Sequence, residues 1–340
     1  MVAARRLPVI FNHEPVRFGI MTSRRRMLAG VAGVSSLAGC VDILQRNGEE
    51  TPPPDNETNA SDDADVDNET ELPAANETDE PEPEPALGEL EAIQPAKTDL
   101  EAALSQYVAS ADADDATVLS ISSASETFDF VPVVNTARAA IDALDAAERF
   151  EDDERVLEAI AILRQERVII DQMARTQHQG QEAAAEARAY LGAIEENFQL
   201  LRGRNRLREE NEVFTTEIDA FASELEAAAE TIVRDRQRYA DKREQFRREQ
   251  EAFRIYTETY ETVSEGLDLL RDASADLEDE DYNDAEPTAA EAIERFDETL
   301  ERLAQTPEDV LIDLTDAFIA TIELRRESAA SIRTLAADRR

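Results

Sequence analysis

Hydrolytic and metal chemistry need nucleophiles, ligands or proton carriers, and this chain is poor in the usual kinds. It has two histidines, His13 and His178, and one cysteine, Cys40. Tetrahedral zinc draws on several His and Cys ligands, and Ser–His or Cys–His nucleophiles need a neighbouring imidazole, so the counts argue against both. A helical di-iron site needs Glu-x-x-His on two helices. Arg175 stands three residues before His178, with Asp171 and Glu182 seven before and four after, which does not make that motif. His178 reads instead as a polar or partly packed side chain at a bend around Thr176–Gln181. Asp279-x-Asp281-x-Asn283 copies the first ligands of a calcium loop, but Asp284 fills the glycine position and Ala290 the twelfth, so a tight acidic turn is expected. The 77 carboxylates are too numerous for any pair to stand out as acid and base, and no glycine-rich phosphate loop is present. No metal, cofactor or catalytic residue is assigned.

Cys40 has a different context. It ends Leu37-Ala38-Gly39-Cys40, after a mildly apolar run that follows Ser23-Arg24-Arg25-Arg26-Met27-Leu28. The run is too short to cross a bilayer as a stable helix and reads as a removable export signal. The Arg24-Arg25 stretch resembles the twin-arginine signal, and Leu-Ala-Gly-Cys resembles the lipobox of bacterial and haloarchaeal lipoproteins. The resemblance covers residues 23–40. It implies export, cleavage before Cys40, a thioether-linked lipid there, and a chain anchored on the extracellular face of the cell membrane. Residues 1–39 are then the signal, with Met21 a better start than Met1.

The formal net charge is −42, and loss of residues 1–39 makes the remainder more negative still. Lys97 and Lys242 are the only lysines beside 33 arginines. This balance suits molar salt, where the screening length is about 3 Å and surface repulsion is suppressed. An extreme halophile is inferred. Such a field repels nucleic acid, which is excluded as a partner. A lone cysteine allows no internal disulfide, so the fold must rest on apolar packing.

Residues 40–95 read as a lipid-anchored, disordered acidic linker. Pro52-Pro53-Pro54 and Pro81-Glu82-Pro83-Glu84-Pro85 punctuate a tract of Asp, Glu, Asn and Thr with too few large apolar side chains to offset ordering. It holds four matches to the N-glycosylation acceptor, at Asn56, Asn59, Asn68 and Asn76. Restriction to the stalk suggests use, and an Asn- and Thr-rich tract also produces such triplets by chance.

Residues 96–338 read as an all-α domain. No proline falls between Pro132 and Pro287, and strong helix formers dominate. Stepping four then three from Phe214 to Leu277 meets apolar residues at all but Asp235, Lys242, Glu249 and Ser274, the pattern of a coiled-coil seam or bundle helix. One helix over 205–278, about 110 Å long at 1.5 Å per residue, is predicted. Val156, Ile160, Leu163 and Ile170, then Ala187, Leu191, Ile194, Phe198 and Leu201, keep the same step. A turn at Leu201–Asn205, closed by a left-handed Gly203, would make a long antiparallel, coiled-coil-like hairpin that sets Ile194 near Glu212 and Ile160 near Phe246. Shorter helices pack against it. A second turn is expected over Leu277–Ala285 with Pro287 in a first helical turn, and a last helix capped by Thr306 and Pro307 through Asp338. Residues 96–130 suggest a short helix on Leu100, Leu104 and Tyr107, with 128–134 either extended or entering another helix.

Two basic clusters interrupt the acidic background: Arg202, Arg204, Arg206 and Arg208, and eight basic side chains within 234–254. They suit an anionic partner such as lipid headgroups. The competing expectation is internal pairing with Asp152, Asp153, Glu154, Glu158, Glu166 and Asp171 across the hairpin. The resulting expectation is a non-enzymatic, surface-tethered helical scaffold, spacer or binding module. It would have a protein or cell-envelope partner and a route to homo-oligomers through the coiled coil. A carboxylate-dependent extracellular hydrolase and a transporter's solute-binding lipoprotein are the alternatives.

Overall fold

The computed structural model describes residues 90–109, 115–150, 153–228 and 236–340, with Leu87 and Ala111, all within the unit Asp55–Arg340. The export signal, Cys40, the four sequons and nearly all of the acidic linker lie outside the described residues. Among those described the chain is all-α, with no strand. The helices are α1 (Gln94–Val108), α2 (Phe130–Phe150), α3 (Glu154–Glu196), α4 (Leu200–Ala227), α5 (Arg236–Glu258), α6 (Tyr260–Glu278), α7 (Tyr282–Leu303) and α8 (Ile312–Arg339). None is long and apolar enough to cross a membrane.

The long antiparallel hairpin is α3 with α4. Asp153 caps α3, its Oδ1 accepting from Arg155 N at 2.8 Å. The expected turn at Gly203 is corrected: the chain reverses at Asn197–Gln199, where Asn197 (φ 50°) and Gln199 (φ 56°) take the left-handed conformation. Phe198 N donates to Ala193 O at 3.0 Å, closing α3. Gly203 lies inside α4 for another reason. A β-carbon there would stand 3.2 Å from the Tyr190 Cα, so the glycine lets the two helices approach. The earlier turn resets the register. Gln172 Nε2 donates to Glu217 Oε2 at 2.7 Å and Gln179 Nε2 to Glu210 Oε2 at 2.8 Å, whereas a pivot at Gly203 would have set them against residues near 234 and 227.

The single helix expected over 205–278 is three. α4 ends at Ala227, and α5 returns along it, with Phe246 meeting Phe214 at 5.9 Å and Phe221 at 6.1 Å between ring centroids, and Phe253 meeting Phe214 at 6.1 Å. The heptad stripe is therefore folded on itself, and Phe246 faces α4 rather than Ile160. α5 and α6 part at Thr259. Thr257 Oγ1 donates to Arg254 O at 2.8 Å, Thr259 Oγ1 to Tyr256 O at 2.8 Å and Thr262 Oγ1 to Thr259 O at 3.0 Å, local bonds that compete with the helical ladder.

The α6–α7 turn falls where expected, with Glu280 at φ 63° and Asp281 N donating to Asp276 O at 2.8 Å. Pro287 is inside α7 rather than at its start. The carbonyl that its missing N–H leaves free, Asn283 O, accepts from Arg340 Nη2 at 2.8 Å. α8 begins at Ile312, not after Thr306. The Thr306 hydroxyl is buried without a partner, and a left-handed Leu311 (φ 52°) starts the helix after Val310 and Leu311 have entered the core. Near the beginning, α1 buries Leu100, Leu104 and Tyr107, and α2 starts at Phe130, with Asp129 Oδ1 accepting from Val131 N at 3.0 Å.

Candidate functional site

The two polar interruptions of the α5 stripe are at the centre of the domain. Lys242 and Glu249 lie two turns apart on one face of α5, and both are fully buried. They meet the irregular segment 115–128 that joins α1 to α2 and passes between α3 and α5. A buried loop must find partners for its backbone groups, and these helices supply them. Lys242 Nζ donates to Ile121 O and, at 3.1 Å, to Gln245 Oε1. Gln245 Nε2 donates to Ile121 O at 3.3 Å and to Glu249 Oε1 at 2.9 Å. Glu249 Oε2 accepts from Ser123 N at 3.2 Å and from Ser123 Oγ at 2.5 Å.

From the opposite side, α3 contributes Gln177, whose Nε2 donates to Ser122 O at 2.8 Å while its Oε1 accepts from the Tyr107 hydroxyl at 2.9 Å. Gln181 Nε2 donates to Ser125 O at 2.5 Å and Phe128 O at 3.2 Å, and Arg188 Nη2 to Ala124 O at 2.9 Å. Gly180 makes room: a β-carbon there would stand well inside van der Waals contact with Ser123 Oγ. The Lys242 ammonium also lies over the Phe246 ring at 4.6 Å and the Tyr107 ring at 5.6 Å.

Burial sets the electrostatics. It pushes the Lys242 amine down to about 7, opposed by the Glu249 charge. It pushes the Glu249 carboxyl up, opposed by Lys242 and by bonds from Ser123 and Gln245. Burial first, and Glu249 second, also raise Tyr107 well above the usual phenol range.

Beside this clamp lies an open groove of about 440 Å³, lined by Ser125, Glu126, Asp129, Glu182 and Arg188 around a Phe130–His178 stack with ring centroids 4.4 Å apart. α3 runs unbroken through His178. Among the described residues, no group of three or more His, Cys, Asp and Glu could hold a metal ion, and Asp279 and Asp281 serve the α6–α7 turn.

No family model, curated protein or solved structure matches this chain.

The basic clusters are divided by the fold. Within 236–254, Arg254 pairs with Glu251 and Glu258 of its own helix, Arg248 pairs with Asp309, and Lys242 enters the clamp. Among the described acids expected to face this stretch, Asp153 caps its own helix, Asp171 meets Arg175 at 2.9 Å and Arg167 at 3.8 Å, and Glu166 reaches α5, accepting from the Tyr239 hydroxyl at 3.3 Å. Arg202 and Arg204–Arg208 fall just beyond the hairpin turn. Arg24, Arg25, Cys40 and the sequons lie outside the described residues. The clamp was missed in the sequence, although it left a signal: Lys242 and Glu249 occupy two core positions of an otherwise apolar stripe.

Proposed function

We propose that the chain is a lipoprotein tethered through Cys40 to the extracellular face of the cell membrane, whose helical domain acts by contact, as a scaffold, spacer or binding module. One observation supports the non-enzymatic reading above the others. The side chains best suited to chemistry, Lys242, Glu249 and Ser123, are 0–1% exposed, Glu249 bonded to Ser123 and Lys242 to Ile121 O, with Gln245 bridging the two charged groups, so they serve architecture. The lipobox-like Leu37–Cys40 and the twin arginines supply the tether, and the acidic, proline-rich tract supplies reach. Its partners are the membrane, through the lipid, and a protein or cell-envelope component.

Fractionation of producing cells tests this. The native chain should sediment with membranes and enter the detergent phase, and Cys40→Ser should move it to the aqueous phase. A Cys40→Ser chain that still enters the detergent phase, or a native chain confined to the cytosol, overturns the reading. A carboxylate-dependent hydrolase draws support from the groove beside His178, which Asp129, Glu126 and Glu182 line. It predicts hydrolysis of added ester, glycoside or peptide substrates that Glu182→Gln abolishes without loss of helicity.

A further inference from the structure

The α3–α4 turn puts apolar and basic side chains together at the end of the hairpin. Phe198 and Leu201 are 60% and 53% exposed, among the most exposed large apolar residues described. α8 crosses the same end, where Arg325 donates to Ile194 O and Glu195 O, and its neighbour Leu324 is 61% exposed. Four arginines follow without an intervening acid in a chain of net charge −42. Arg202, Arg206 and Arg208 are exposed, Arg208 with Glu212 one turn on at 3.7 Å, while Arg204 lies over the Tyr260 ring at 5.4 Å. A groove of about 340 Å³ is lined by Phe198, Arg202 and Arg206, the small residues Gly192 and Ala193, and Glu196. Glu186 borders it, its carboxyl held above the usual range by burial.

We propose that this end of the hairpin is a second membrane contact, in which Phe198 and Leu201 enter the interfacial layer and Arg202, Arg206 and Arg208 meet the phosphates of anionic lipids. The proposal rests on the tethered reading for bringing the chain to a membrane. Charge complementarity selects the occupant and the orientation, because the acidic remainder of the surface is repelled by an anionic bilayer. Two protruding side chains also cover far less than the roughly 800 Å² per partner that a stable protein interface needs, whereas a soft interface accommodates a small apolar wedge. Salt screens charge attraction but strengthens apolar burial, so the contact persists in concentrated salt.

The chain has no tryptophan, so Phe198→Trp gives a single reporter. It is placed in the full chain with Cys40→Ser, which makes the readout independent of lipidation, and compared with Leu157→Trp, about 60 Å away along α3 at 1.5 Å per residue. Vesicles of phosphatidylglycerol or phosphatidylcholine carry brominated acyl chains, in about 0.1 M and about 2 M salt. The reporter at 198 should shift to the blue and be quenched on phosphatidylglycerol at both salts, and the reporter at 157 should not. Arg202→Glu with Arg206→Glu should lower the bound fraction about tenfold in dilute salt. Quenching at 198 no greater than at 157 overturns the proposal. So does a lipid-free dimer, seen by sedimentation, that Phe198→Glu dissolves, since that would assign the surface to a second copy. Failure of the tether itself appears separately, in the fractionation of the Cys40→Ser chain.

Discussion

At the scale of single residues, the decisive pair is Lys242 and Glu249. Two ionisable groups inside a bundle are costly unless each is bonded, and removal of one partner leaves a buried charge. Lys242→Met should therefore lower unfolding free energy by about 3–5 kcal/mol, and Lys242→Met with Glu249→Gln should recover much of it, both read from urea midpoints. The sign of the pH dependence follows from the shifts. With Lys242 depressed to about 7, the unfolded chain holds a proton between that pH and the ordinary lysine range, near 10.4, that the folded chain lacks. Stability contributed by this group is present at high pH and is lost as pH falls toward 7. The raised Glu249 acts oppositely at lower pH, losing stability as pH climbs through its folded value. The native midpoint should rise between pH 7 and 9.5, and Lys242→Met should flatten that rise. The stripe 214–277 marked these positions as polar exceptions but not as partners. Ser123, Ile121 and Gln177 come from segments up to 128 residues away from Glu249 in sequence, and no local period connects them.

Among the elements, the α-helical class and an antiparallel hairpin were legible because periodicity and helix propensity act locally. The ends were not. Gly203 looked like a helix stop, yet its role is to let α4 approach Tyr190, and the left-handed positions went to Asn197 and Gln199. A non-glycine residue in that conformation costs about 1–2 kcal/mol, so Gln199→Gly should stabilise the chain by about 0.5–1 kcal/mol in denaturant titrations, net of the unfolded-state entropy that glycine adds. Gly180→Ala should do the reverse. Its methyl would collide with Ser123 Oγ, and the overpacking should cost about 1–3 kcal/mol and speed amide exchange in 115–128. Thr259 shows a second kind of illegibility: the heptad step runs through it unbroken, while side-chain bonds to the backbone end the helix.

Across the whole molecule, charge is the dominant fact. With 77 acidic against 35 basic side chains, self-repulsion at low ionic strength should depress stability. The melting temperature should climb steeply between about 0.1 and 1 M salt, where the screening length shrinks from about 10 to 3 Å, and only weakly beyond. A melting temperature independent of salt would remove the basis for the halophilic reading. By itself the sequence determined the helical class and the excess of acidic charge, because composition and period express themselves within a few turns of chain. Where the chain reverses, which acid meets which arginine, and why Lys242 and Glu249 are buried were decided only in three dimensions. A five-residue displacement of one turn changes every pairing along two helices, and a loop's carbonyls find their donors only after distant helices have closed around them.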